Sequence, residues 1–193
     1  MAVKVTAKLM ENNFGRKERV RTSGTVRLSY AHLFEKYEKS GKYQATLLID
    51  KDDEETLKVI NKAIEAAKED GKDRVWGGKI PGASKFRNPL NDGDEMDEEI
   101  DGYEGHYYLT AKTTRRPSVF DEEKNEIFDD EDIYSGCYVS AVIEFYPYDN
   151  EGKGVGVILL GVRKTDDGER FGGGGAVASA DDWDDDEDGL LDD

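Results

Sequence analysis

The side chains with chemistry to offer in this chain are cations interleaved with aromatics. Phe14 stands beside Arg16, Lys17, Arg19 and Arg21, and Trp76, Lys79, Lys85, Phe86 and Arg87 follow one another in a stretch with no acid after Asp73. Arg115 and Arg116 end a strand-like run that holds Tyr107, and Tyr146 and Tyr148 close another. Cations neutralise phosphates and aromatic faces stack on bases, about 1–3 kcal/mol per stack, which together make a sequence-neutral grip on single-stranded nucleic acid. Each aromatic has an alternative use as core filling, and each basic loop as an ordinary solvated turn. Trp76, Phe86 and Arg115-Arg116 are the best placed, because they lie in Gly/Pro-rich or turn segments flanked by cations.

Catalytic constellations are harder to assemble. Gly77 to Gly82 has the glycine spacing of a phosphate loop, but Ala83-Ser84 stand where Lys-Ser/Thr is required and Pro81 sits inside it. His32 and His106 have no Cys or His at ligand spacing, and Cys137 falls on the apolar face of a strand, where it reads as a small core residue. The run DGDEMDEEID lacks the ligand order of a calcium loop, and a two-metal nuclease wants its carboxylates on rigid strand ends. No catalytic residue, metal or cofactor is expected. A metal-dependent nuclease stays open as a lesser alternative, as does an acidic DNA-mimic or chaperone-like protein that binds basic partners.

A net charge of -17 argues at first against a nucleic-acid partner, but it is unevenly spread. Residues 1–91 carry 19 basic and 13 acidic side chains, whereas residues 92–132 carry 4 and 16. Affinity follows local field, so the basic amino half outweighs the total. One cysteine excludes an internal disulfide, and MAVKVTAKLM lacks the apolar run of a signal peptide. A cytoplasmic setting is expected.

The elements that must position these residues are mostly strands. Period-two alternation predicts strands near 3–10, 21–30, 42–50, 106–114 and 137–148, with an additional return strand at 154–164. Asp52 with Glu55 has capping-box spacing, and Leu57, Ile60, Ile64 and Ala67 share one helical face until Gly71, which predicts a helix over 53–70. Residues 31–42 read as a connector and 72–105 as a long irregular segment. The pattern predicts a mainly β fold: an OB-fold-like five-stranded antiparallel barrel with one main helix after its third strand, an extra hairpin and long loops. On that plan the second and third strands and their flanking loops form the binding face.

GGGG from Gly172 ends the packed domain, so 1–171 is expected to be the binding domain and 172–193 a glycine-rich linker with an acidic tail. From Asp181 onward the tail holds nine carboxylates and no cation, with Trp183, Leu190 and Leu191 as apolar anchors for a partner. As a flexible coil it reaches about 25 Å, beyond the ~15 Å radius of gyration of such a domain. It is therefore expected to lie in its own groove until DNA displaces it.

The segments WGGKIPGASKFRNPLNDGDE, GHYYLTAKTTRRPSVFD, DIYSGCYVSAVIEFYPYDNEGKGVGVILLGVRK and DGERFGG before the tail resemble the tailed-bacteriophage single-stranded DNA-binding proteins. The resemblance runs over about residues 20–193. It implies an OB-fold, sequence-independent coating of single strands in replication, recombination and repair, and tail contacts with polymerase, helicase or recombinase. Tails of that family often finish on a phenylalanine, where this chain has Leu190-Leu191-Asp192-Asp193.

Overall fold

The computed structural model describes residues 2–171 and Trp183. In chain order the elements are β1 Lys8–Met10, β2 Arg19–Arg21, β3 Val26–Tyr37, β4 Lys42–Asp50, α1 Glu54–Arg74, β5 Phe86–Arg87, β6 Asn91–Asp92, β7 His106–Thr113, β8 Ser118–Phe120, β9 Tyr138–Asp149 and β10 Lys153–Asp166. Strands β9, β3, β4, β7 and β10 pair in that order and β10 returns to β9, closing a five-stranded ring. Four seams are antiparallel, while β7 meets β10 in parallel at the single pair Ile158–Lys112. A barrel held at one seam by so little is the partly open OB plan.

Alternation builds the interior. Ala45, Leu47 and Ile49 of β4, Leu109 and Ala111 of β7, and Val139, Ala141, Ile143 and Phe145 of β9 all point inward and are fully or nearly fully buried. Helix α1 adds Ile60, Ala63, Ile64 and Ala67 to the same core. Asp53 caps this helix through Thr56 N–H, and its other carboxylate oxygen accepts from the Ser23 hydroxyl at 2.6 Å. The cap is thus Asp53 rather than Asp52, because Ser23 and Thr56 form the pocket that holds it.

Several sequence expectations change. The segment over 3–10 is outside the barrel: only Lys8–Met10 is strand, and it pairs with β2 alone. Residues 21–30 split into β2 and β3, since Ser23 is diverted to the helix start, and β3 runs on through the predicted connector to Tyr37. The 154–164 strand is a barrel member rather than an extra one. Consequently α1 follows the second barrel strand, not the third.

Helix α1 also continues one turn past Gly71, which is buried. A Cβ there would lie 2.5 Å from Pro147 Cβ and 2.9 Å from the Trp76 ring. This glycine serves close packing of helix against β9, not termination. Alanine ordinarily stabilises a helix interior by about 0.5–1 kcal/mol over glycine, but overpacking costs ~1–3 kcal/mol. Gly71→Ala is therefore expected to lower stability, and urea denaturation showing a gain would contradict this packing.

Candidate nucleic-acid interface

Strand register brings the polar residues of β2, β9 and β10 into rows on the outside of the sheet. Tyr148 stands opposite Gly154, itself opposite Arg87 of β5, and Tyr146 stands opposite Gly156. The next row runs Arg19, Glu144, Ile158, Lys112, and the one after it Arg21, Val142, Gly161, Ser118. Paired residues in a row share a face, and alternate rows point the same way. The result is one outward surface crossing four strands.

Glycines form its floor. A Cβ at Gly156 would collide with the Tyr146 ring, and one at Gly154 would lie 3.0 Å from the Tyr148 hydroxyl. The two rings therefore lie over β10 instead of standing off it, with centroids 6.2 Å apart. Tyr146 is 39% exposed, and burial of its hydroxyl pushes the pKa above the ordinary phenol value, so the ring stays neutral. Arg19 and Arg21 flank this platform on one side, Arg87 and Lys112 on the other. Arg19 is tied to Glu144 at 2.9 Å and Arg21 to the Thr6 carbonyl at 3.0 Å, which fixes both guanidinium groups in place. Neutral stacking surfaces bordered by positioned cations match the chemistry of a single strand, with bases inward and phosphates at the edges.

The remaining sequence candidates scatter. Trp76 is buried and donates its indole N–H to the Tyr148 carbonyl at 3.0 Å, so its ring supports the platform strand from beneath and has no face free for a base. Phe86, one residue out of phase with Arg87, turns the other way and meets Trp76 edge-on at 6.3 Å. Lys79 and Lys85 are exposed on the connection between α1 and β5. Tyr107 lies under the Lys51 ammonium at 5.1 Å. Arg115 is exposed, but Arg116 lies over both Phe34 and Phe128, at 5.4 and 5.6 Å, beyond the far end of β7. In the Phe14 loop, Arg16 pairs with buried Glu18 and stacks on Phe14 at 4.8 Å, while Lys17 reaches Glu11 at 3.5 Å. Trp183 is 75% exposed, and Leu190 and Leu191 lie outside the described residues.

Glycines 154 and 156 and Lys112 were absent from the sequence candidates. The signal for the two glycines was the Gly-X-Gly alternation inside an apolar strand, which marks a close approach to something across from it, whereas Lys112 joins them only through the pairing of β7 with β10.

The expected face, on strands 21–30 and 42–50, shifts to β4 and β7 once these become the second and third barrel strands, and their outer side is largely roofed. Tyr103 is buried against it, its ring tilted on that of Tyr108 at 5.1 Å and its hydroxyl 3.4 Å from Ser29, and Phe171 packs over Gly102 beside Leu48. Lys51 anchors this roof, its ammonium 2.7 Å from both Asp92 and Asp94, and Asp94 also accepts the Gly105 N–H at 2.9 Å. The roof carries the acidic run, which sets a negative wall over the β4–β7 face.

A cation-flanked aromatic surface on a five-stranded OB barrel defines an oligonucleotide-binding module. Residues 19–191 match the family model described as the Enterobacter phage Enc34 ssDNA-binding protein, and the chain belongs to that family. It is 40% identical over 170 residues to protein p50 of Acyrthosiphon pisum secondary endosymbiont phage 1, covering 83% of this chain and 90% of p50. The single-stranded DNA-binding protein from bacteriophage Enc34, solved in complex with ssDNA, is 31% identical with a TM-score of 0.71, over 89% of this chain and 98% of that one. Its C-terminal truncation is 32% identical with the same TM-score, over 87% and 98%. Bacteriophage T7 gp2.5, at 17% identity and a TM-score of 0.52 over 87% and 96%, shares the fold.

The Lys51 hydrogen bond is the leading cause holding both Asp92 and Asp94 below the usual carboxylate range. With folded values depressed, the anchorage is complete above the unfolded carboxylate pKa of about 4 and is lost as pH falls through the folded values. Lys51→Met is expected to release the roof at neutral pH, read as faster hydrogen exchange at the Gly105 amide. Unchanged exchange would show that Tyr103 packing holds the roof alone.

Proposed function

We propose that this chain binds single-stranded DNA without reading its sequence, along the outer face of β2, β9 and β10. One observation carries the reading: Tyr146 and Tyr148 lie over Gly156 and Gly154 with Arg19 and Arg21 on one flank and Arg87 and Lys112 on the other. Membership of a phage ssDNA-binding family supports it, as does a relative solved with ssDNA. Binding rather than catalysis is the proposed role, in phage replication, recombination and repair within the host cytoplasm. No helix among the described residues is long and apolar enough to cross a membrane. In the same proposal residues 1–171 are the binding domain, and the tail from Gly172 recruits polymerase, helicase or recombinase while competing with DNA for the cationic face.

Titration with a dT oligomer tests the site. Tyr146→Ala is expected to cost ~1–3 kcal/mol, the value of one stack, and Tyr146→Phe to bind like the native chain. Gly156→Val keeps the tyrosine but lifts its ring, so it should bind as weakly as Tyr146→Ala. Affinity should also fall steeply with salt as counterions are released. Native-like binding by both Tyr146→Ala and Gly156→Val would remove the platform from the site. Truncation after Gly175 is expected to tighten binding, and unchanged affinity would leave the tail only a recruiting role.

A further inference from the structure

Among the exposed features that the platform leaves unused, two sit toward opposite ends of the strand that carries it. The first is Phe14, 75% exposed on a loop that is built rather than loose. Asn12 Oδ1 accepts both the Phe14 and Arg16 amides at 3.0 Å, the Gly15 amide returns to the Asn12 carbonyl, and the Arg16 guanidinium supports the ring from behind. Lys17 stands beside it, 56% exposed. The Glu18 carbonyl accepts the Phe145 amide at 2.8 Å, which seats this knob next to the carboxyl half of β9.

The second feature is a cavity of about 240 Å³ at the other end of β9, where Leu33 and Phe34 of β3 face Ile133, Tyr134 and Phe171. A cavity of about 150 Å³ already holds a benzene ring, so this open, partly polar one has the volume for a phenylalanine side chain. Asp130 lines it, Asp129 lies beside it next to Phe34 and Arg116, and the chain continues from there through exposed Glu131 and Asp132. The one cation in its wall, Arg170, is held over the Tyr134 ring at 4.2 Å. From Tyr138 to Phe145, at about 3.3 Å per residue, cavity and knob lie ~23 Å apart along the strand.

We infer that the Phe14 knob of one copy of this chain seats in the Leu33–Ile133 cavity of the next, with Lys17 against the Asp129–Asp132 rim. A basic, aromatic projection answers a cavity with aromatic and aliphatic walls and a carboxylate at its edge, and the two lie on separate surfaces of the chain. Such a contact is heterologous, and it builds an open row of copies where its rotation does not close into a ring. Knob and cavity lie toward opposite ends of β9, so a row of copies joined in this way would repeat the Tyr146–Tyr148 platform once per copy. The charge asymmetry between the amino half and residues 92–132 then has a use: it joins copies end to end. In this arrangement Phe14 and Lys17 meet a neighbouring copy of the chain.

The inference rests on the single-strand-binding reading, and the test separates the two. Full-length protein is titrated onto a dT oligomer of about ten nucleotides, which holds one copy, and onto one of about sixty, which holds several. The ratio of per-site affinities measures contact between neighbours and cancels any change in the DNA contact itself. The native chain should show a ratio of at least tenfold. Lys17→Glu and Asp130→Lys should each collapse it towards one, both substitutions in the same chain should restore most of it, and Phe14→Ser should abolish it. No binding to the short oligomer overturns both readings, whereas short-oligomer binding with a native ratio near one overturns the interface alone. It is also overturned if the paired charge reversal fails to rescue, if Phe14→Ser weakens only the short-oligomer affinity, or if truncation after Gly175 removes the ratio, which would make the tail the occupant.

Discussion

Everything in this molecule hangs on the antiparallel ladder between β9 and β10. The two strands are paired almost throughout, from Lys153–Asp149 at the hairpin to Asp166–Tyr138 at the far end. Their inward residues, Val139, Ala141, Ile143, Phe145, Val155, Val157 and Leu159, supply one wall of the core. Their outward residues supply the tyrosine platform and its glycine floor. Because side chains alternate with period two, a slip of one residue would exchange wall and platform. Burying the inner set at roughly 1.5–3 kcal/mol per large side chain therefore also fixes which aromatics face solvent. Stability and binding surface are set by the same register.

The second constraint is charge. A net charge of -17 repels DNA at long range, and the acidic run lies over the outside of β4 and β7. Lys51, Tyr103 and Phe171 hold that roof against the barrel, so the wall is fixed and not merely a mobile screen. In the proposed mode a phosphate chain is repelled from one side of the barrel and drawn to the other, where Arg87 and Lys112 are exposed and Arg19 and Arg21 are half-buried. The general OB plan supplies the scaffold here, while the position of the roof decides which part of its surface stays open.

Much of this was legible from local pattern. Alternation over Cys137–Phe145 assigned the inner face of β9 correctly and put Tyr146 and Tyr148 on the outer one. Barrel closure was not legible, since it depends on which strand finds which: the break at Ser23 comes from hydrogen bonds to Asp53 and Thr56, thirty and more residues away. Gly71 reads as a stop signal locally and proves to be a packing site because Pro147 lies across from it. Trp76, flanked by glycines and cations, looks like an exposed stacker, yet a carbonyl on β9 takes its N–H and draws the ring inside. The platform itself was half visible. Its tyrosines could be named, but their glycine partners emerge only once β10 is laid beside β9.

The central claim is that DNA runs over the β9–β10 face and not over the roofed β4–β7 face. Photo-crosslinking of the full-length protein to a 5-iodouracil oligomer, with the crosslinked peptides identified by mass spectrometry, tests it most directly. Crosslinks at Tyr146 and Tyr148 are the predicted result. Crosslinks at Tyr103 and Tyr108, with none on β9, would contradict it and place the strand beneath the acidic roof.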